Sequence, residues 1–130
     1  MTDAPNGIRS PFIEHLGIRV LSVGAEGAEL ELPVLPEYLN SVGMVHGGVY
    51  ASLADSGLGA AIHGRLPPGH VALTAEMSCR YIRGARGGTL RCVSRVLHMG
   101  RSTAVAESEV WVEDVLQFKA SGTFVVMPRP

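Results

Sequence analysis

Apolar and polar residues are distributed along this chain in two distinct ways. From Gly48 to Ile62 almost every position is small or apolar, with Val49, Tyr50, Leu53, Leu58 and Ile62 separated by Ala, Ser and Gly. That pattern predicts one helix buried on most of its faces. On either side the pattern is that of strands. Ile18 to Val23 is β-branched and aliphatic, Ala28 to Pro33 alternates apolar with acidic residues, and Gly24-Ala-Glu-Gly27 between them is turn material, so a hairpin is expected. Pro33 and Pro36 end its second strand and lead into a loop, Glu37 to Val45, ahead of the helix. Beyond the turn Arg65-Leu-Pro-Pro-Gly69, four strand-like runs follow: Val71 to Ile82, Thr89 to Leu97, Ser102 to Val112 and Leu116 to Met127. Strict alternation in the first of them puts Leu73, Ala75, Met77 and Cys79 on one face and Thr74, Glu76, Ser78 and Arg80 on the other.

At the start, Ser10-Pro11-Phe12-Ile13-Glu14-His15-Leu16 combines an N-cap candidate, a proline at the first helical position and an apolar face, closed by Gly17, and reads as one short helix. Residues 1–9 are expected to form a loose leader, and the tail 128–130 is expected to fray. With short links throughout, the four late strands are expected to pair as an antiparallel meander. A single helix lying across one curved antiparallel sheet gives an α+β fold. The chain has no repeats and no low-complexity tracts. Its 130 residues fit one domain, residues 1–130, able to bury about two-thirds of the unfolded surface.

Composition narrows the classes of function. Eleven Lys plus Arg against 12 Asp plus Glu give a formal charge of -1, so no broad basic surface argues for nucleic acid. Lys119 is the only lysine among those 11 cations, and arginine suits bidentate phosphate contacts better than lysine does. Cys79 and Cys92 lie in strand-like runs with no metal or redox spacing and read as reduced thiols. His15, His63, His70 and His98 show no ligand spacing, so no metal is assigned. No basic segment followed by an apolar run opens the chain, and the central helix is too short for a membrane span. A cytoplasmic protein that contacts neither membrane nor nucleic acid is expected.

Between His46 and His63 the only residue certain to be charged at neutral pH is Asp55. A carboxylate on a buried helix loses hydration at a cost of several kcal/mol unless something compensates, so it is either paired by a distant residue or present for chemistry. Gly47 and Gly48 open the helix with unhindered N–H groups at the positive end of its dipole, a place suited to an oxyanion. Glycines there also serve close chain packing. Asp55 stands eight residues after Gly47, ~12 Å along the axis, whereas a nucleophile and an oxyanion donor must both come within ~3 Å of one carbonyl. The two are therefore unrelated, or they meet across a two-fold axis with one contributed by each of two subunits.

Asn40-x5-His46-Gly47-Gly48-x6-Asp55, followed by Thr74-Ala-Glu-Met-Ser-x-Arg-Tyr-Ile and Gly100-Arg101-Ser102, resembles the hotdog-fold acyl-CoA thioesterases. Within them it is most similar to the phenylacetate-pathway (PaaI-type) branch related to 4-hydroxybenzoyl-CoA thioesterase. The likeness runs from about residue 11 to 127. It implies a hotdog fold: one long central helix wrapped by a curved antiparallel sheet of five to six strands. It also implies hydrolysis of an aryl or medium-chain acyl-CoA to free acid and CoA, in a homodimer that forms the active site and assembles further into a homotetramer. By that resemblance Gly47 donates its N–H to the thioester carbonyl, and Asp55 of the neighbouring subunit attacks it or activates water. Asn40 and Thr74 orient those groups, and His46 lies close to the thioester. Gly48, Arg83, Arg101 and Ser102 are candidate substrate contacts, the arginines for the phosphates of CoA. Coenzyme A belongs to the substrate and no separate cofactor is expected. The alternatives are a non-catalytic acyl-CoA sensor on the same fold, which has no need of a buried carboxylate, and a hotdog dehydratase or hydratase, whose histidine motifs are absent.

Overall fold

A computed structural model describes residues 10–130; the expected leader lies outside them. Helix α1 (Pro11–Leu16) is capped by Ser10, whose Oγ accepts from Ile13 N–H at 3.5 Å, and stops at Gly17, whose φ of 81° is the left-handed value that glycine reaches without a Cβ penalty. The hairpin follows as β1 (Arg19–Gly24) and β2 (Gly27–Pro33). A 3-10 turn at Pro36–Tyr38 is held from beneath by the buried Tyr38, whose hydroxyl donates to the Leu16 carbonyl. Helix α2 spans Gly47–His63, and four strands complete the chain: β3 (His70–Tyr81), β4 (Thr89–Met99), β5 (Thr103–Val112) and β6 (Val115–Pro128). Among the described residues no helix is long and apolar enough to cross a membrane.

All six strands form one antiparallel sheet in the order β1-β2-β4-β5-β6-β3. The expected meander therefore holds only for β4, β5 and β6. Strand β3 does not pair with β4: it crosses to the far side and pairs with β6, from His70 opposite Pro128 to Tyr81 opposite Phe118, while β4 takes β2 as its other neighbour. The chain thus closes the sheet around α2 instead of laying it out in sequence order, and β3 becomes an edge. The tail is also tied down, because β6 runs through Pro128 and Arg129 N–H is bonded to Gly69 O at 2.8 Å.

Extra residues interrupt the ladders at Leu21, Ala75, Leu97 and Gln117. Such bulges bend a strand and increase its twist, which is how a single sheet curls around one helix. The bulge at Ala75 also resets the parity of β3. Ala72 and Thr74 face the helix before it, and Met77, Cys79 and Tyr81 face inward after it. The strict alternation expected for this strand, with Thr74 on the face opposite Met77 and Cys79, is broken at that one residue.

The core has two parts along the helix. Leu53, Ala54 and Ala61 pack with Leu30, Leu32, Leu90, Cys92, Val110 and Phe118, while Leu58 and Ile62 pack with Ala104, Ala106, Phe124 and Val126. Burial of such side chains contributes ~1.5–3 kcal/mol each. What the sheet leaves uncovered is one stripe of α2 bearing Gly48, Ser52, Asp55, Gly59 and His63, none of which is buried. These recur at the three-to-four-residue spacing of a single helix face.

Candidate active site

The helix begins where it does because His46 caps it. His46 Nδ1 accepts from Gly48 N–H at 2.8 Å, so that nitrogen is unprotonated and a neutral ring carries its hydrogen on Nε2. Val49 N–H goes to the His46 carbonyl. Gly47 N–H alone of these three has no partner among the described residues, and it sits at the positive end of a 17-residue helix. The pair of glycines expected to offer two donors therefore offers one. Gly48 contributes no donor, and its role is space: a Cβ there would come 3.1 Å from His46 Nδ1.

Three nearby segments fix this end of the helix. Asn40 Oδ1 accepts from Val42 N–H and Met44 N–H, both at 3.0 Å, closing the preceding loop, and the Asn40 amide nitrogen is left without a partner among the described residues. Val45 N–H bonds Ala85 O and Arg86 Nη1 bonds Val42 O, which ties that loop to the segment carrying Arg83. Tyr81, at the end of β3, donates its hydroxyl to the Gly47 carbonyl at 2.9 Å. Its ring fills the space where a Gly47 Cβ would be, 3.2 Å from that position.

Asp55 lies on the uncovered stripe, half-buried, so it escapes the full desolvation expected of it. Its partner comes from across the chain: Thr74 Oγ1 donates to Asp55 Oδ1 at 2.8 Å. Oδ2 has no partner among the described residues and keeps its lone pairs for a substrate or water. The charge reaches Cys79, whose thiol is raised above its ordinary value first by burial and then by the Asp55 carboxylate. Beside Asp55 opens a cleft of 480 Å³ whose lining includes Phe12, Gly59, His63, Leu66, Leu73 and Phe124.

The candidate residues thus fall into separate groups. Asn40, His46, Gly47, Gly48 and Arg83 gather at the start of α2, while Asp55 and Thr74 form a pair two turns further on. Arg101 and Ser102 are exposed at the β4–β5 turn, where Ser102 O accepts from Val126 N–H. Arg83 lies beyond Tyr81 and Arg101 lies level with Ala72, so ~30 Å of sheet separates the two arginines within one chain. Sequence reasoning missed Tyr81 and the cleft. Tyr81 lay within the stretch Thr74 to Ile82 that carries the family resemblance, but nothing there attached a role to it, and the cleft joins residues from α1, α2, β3 and β6 that only the crossover of β3 brings together.

Residues 42–119 match the family model of the thioesterase superfamily. Similar proteins include the proofreading thioesterase EntH of Cronobacter turicensis, 30% identical over 78% of this chain and 74% of that one. The 1,4-dihydroxy-2-naphthoyl-CoA hydrolase of Listeria monocytogenes is 25% identical over 75% of this chain and 79% of its own length. Among solved structures, the conserved protein PA5202 of Pseudomonas aeruginosa superposes with a TM-score of 0.85 at 38% identity, covering 92% of this chain and 95% of that chain.

Proposed function

The chain belongs to the thioesterase superfamily, and from its catalysis of thioester hydrolysis we propose that it cleaves aryl or medium-chain acyl-CoA at sites shared between two subunits. One observation carries the reading. The free Gly47 N–H stands at the first residue of α2 and the Asp55–Thr74 pair lies two turns along its uncovered stripe, too far apart to serve one carbonyl in a single chain.

Strand β3 supplies the geometry for a dimer. It is a sheet edge of 12 residues with Leu73 and Tyr81 more than half exposed, and an open edge of that length invites a partner. Antiparallel pairing of two β3 strands about a two-fold at Ser78 sets Tyr81 opposite the partner's Thr74, three places away on either side once the extra residue Ala75 is left out of the count. Gly47 of one subunit then approaches the partner's Asp55, and the small residues of the stripe let the two helices pack closely. The same arrangement brings Arg83 of one subunit toward the half of the sheet that carries the partner's Arg101, which favours joint contact with the phosphates of one CoA.

In this site the thioester oxygen takes its hydrogen bond from Gly47 N–H. Asp55 either draws the proton from an attacking water or attacks the carbon itself, and Thr74 holds its other oxygen in place. As the tetrahedral intermediate collapses, the carbon–sulfur bond breaks, and the CoA thiolate leaves and is protonated; where Asp55 is the nucleophile, the acyl group is left on it as an anhydride, which water then cleaves to the free acid and the regenerated carboxylate. The cleft beside Asp55 has a mixed lining in which Phe12, Leu66, Leu73 and Phe124 form an apolar part suited to an aryl or medium-length acyl group, and the name of the Listeria relative, an aromatic acyl-CoA hydrolase, supports the first. Thiol release from phenylacetyl-, hydroxybenzoyl-, acetyl-, hexanoyl- and lauroyl-CoA tests the reading. Wild type should release CoA from the aryl or hexanoyl members, and Asp55→Ala should lose about two to four orders of magnitude while keeping its fold. Equal rates in the two proteins would remove Asp55 from the mechanism.

A further inference from the structure

Resting on the reading of Gly47 as oxyanion donor, we infer that Tyr81 is a positioning residue for that donor, holding the peptide unit that follows it. Glycine is the residue least able to fix its own backbone direction, yet an oxyanion donor is effective only when its direction is set before the charge develops. The peptide between Gly47 and Gly48 is planar, and it is held at both ends. Its carbonyl oxygen accepts from Tyr81 Oη at 2.9 Å, and its N–H donates to His46 Nδ1 at 2.8 Å. The preceding plane, which carries the Gly47 N–H, is held in turn through the His46 carbonyl, which accepts from Val49 N–H at 2.9 Å, so with both planes fixed that N–H is the one left to point outward.

The tyrosine is itself held rigidly enough to act as a clamp. Its ring meets Phe118 edge-on at a centroid distance of 5.0 Å and Tyr50 at 6.4 Å, and Phe118 and Tyr50 are buried. The same ring stands 3.2 Å from where a Gly47 Cβ would be, so it presses on the glycine as well as bonding it. Partial burial raises the phenol above its ordinary value, which keeps the hydroxyl a donor through the neutral range. Because Tyr81 ends the edge strand and Thr74 binds Asp55 from the same strand, β3 positions both halves of the reaction: the donor of its own subunit through Tyr81 and the carboxylate through Thr74.

Tyr81→Phe tests this, since it keeps the ring packing and removes only the hydroxyl bond. The expected result is a fall in kcat of about tenfold with KM within about twofold of wild type. The direct readout is the carbonyl stretch of phenylacetyl-CoA and hexanoyl-CoA carrying ¹³C at the thioester carbon, bound to the full-length Asp55→Asn protein. In that protein the band should shift to lower frequency than in water, and adding Tyr81→Phe should shrink and broaden the shift. A loss of melting temperature with the band unmoved would mean that Tyr81 is only structural, and a rise in KM with kcat unchanged would make it a substrate contact; each overturns the inference alone. No shift in the Asp55→Asn protein itself would mean that Gly47 is not an oxyanion donor, and the parent reading and this inference would fall together.

Discussion

Gly57→Ala sets two well-characterised effects against each other, and the structure decides the sign. In the middle of a helix, glycine to alanine ordinarily stabilises by ~1 kcal/mol. Here the added Cβ would sit 2.6 Å from Cys92 Sγ, closer still to Ser94 Oγ, and 3.4 Å from Ser108 Oγ. These three side chains form a buried relay under the helix. Ser108 Oγ donates to the Ala54 carbonyl at 3.0 Å, Ser94 Oγ lies 2.6 Å from Ser108 Oγ, and Cys92 Sγ lies 3.4 Å from Ser94 Oγ. Since the Ser108 proton is committed to Ala54, Ser94 must donate to Ser108, and the thiol must donate to Ser94. Overpacking at such a point costs ~1–3 kcal/mol, and a hydroxyl pushed off its partner in a dry core costs a further ~1–3 kcal/mol. The net expectation is a loss of about 3 kcal/mol, a drop in melting temperature on the order of 10 °C for a chain of this size. Because Ala54 is the residue before Asp55, turnover should fall as well. Thermal unfolding followed by circular dichroism at fixed protein concentration measures the first effect. Gly57→Ala combined with Ser94→Ala should recover more than about 1 kcal/mol of it, since the two sites share one volume. A Gly57→Ala protein as stable as wild type, or more so, would refute the claim that the helix needs a glycine to reach the sheet there.

Thr74→Val keeps the shape of the side chain and deletes the hydrogen bond to Asp55; kcat should fall by about tenfold, and an unchanged kcat would show that Thr74 does not orient the carboxylate. Co-expressing Asp55→Ala chains with Gly47→Val chains, each inactive alone, should restore about a quarter of wild-type activity, because half of the randomly paired dimers carry one intact site in two. Purified mixed dimers without activity would place both groups in one subunit's site. Burial pushes the Cys92 thiol up to about 11 from 9.0. The folded protein thus binds this proton more tightly than the unfolded chain, so the associated stability is complete below about pH 9 and is lost as pH rises toward 11. The stability gap between wild type and Cys92→Ala should narrow across that window, and a gap that stays constant would show that the thiol does not titrate there.

The elements were legible in the sequence because each boundary carries local chemistry: Ser10 and Pro11 start α1, Gly17 stops it, and the strand runs end at glycine-containing turns, at prolines or, between β5 and β6, at the acidic pair Glu113-Asp114. Strand order was not legible. Short loops suggest sequential pairing, yet β3 pairs with β6 because closing the sheet around α2 buries both halves of the helix, a gain that no local pattern reports. The bulge at Ala75 was equally silent, since an alanine in an alternating run looks regular on either face. Its consequence was the hidden part of the site: it lets Thr74 and Met77 both face inward, and so gives Asp55 the partner that the neighbouring sequence lacked. His46, Gly47 and Asp55 were legible as types and spacing. That His46 already occupies Gly48 N–H, leaving Gly47 as the one free donor, is a matter of a ring rotamer, which spacing does not encode.

Two exposed features of the single chain share a border. Strand β3 has an unpaired edge and exposed apolar side chains, and the adjoining stripe of α2 carries Gly48, Ser52 and Gly59 around a carboxylate. The Thr74–Asp55 bond lies on that border. In the proposed dimer a partner strand on β3 brings its own helix alongside this stripe, because each helix is tied to its edge strand by contacts that include Thr74 on Asp55 and Tyr81 on Gly47. Antiparallel pairing then reverses their order, opposing donor to carboxylate twice. On this argument the residues that hold α2 against β3 are also those that set the distance between the two halves of each site. Substitutions at either contact should consequently affect turnover more than they affect the stability of the folded chain.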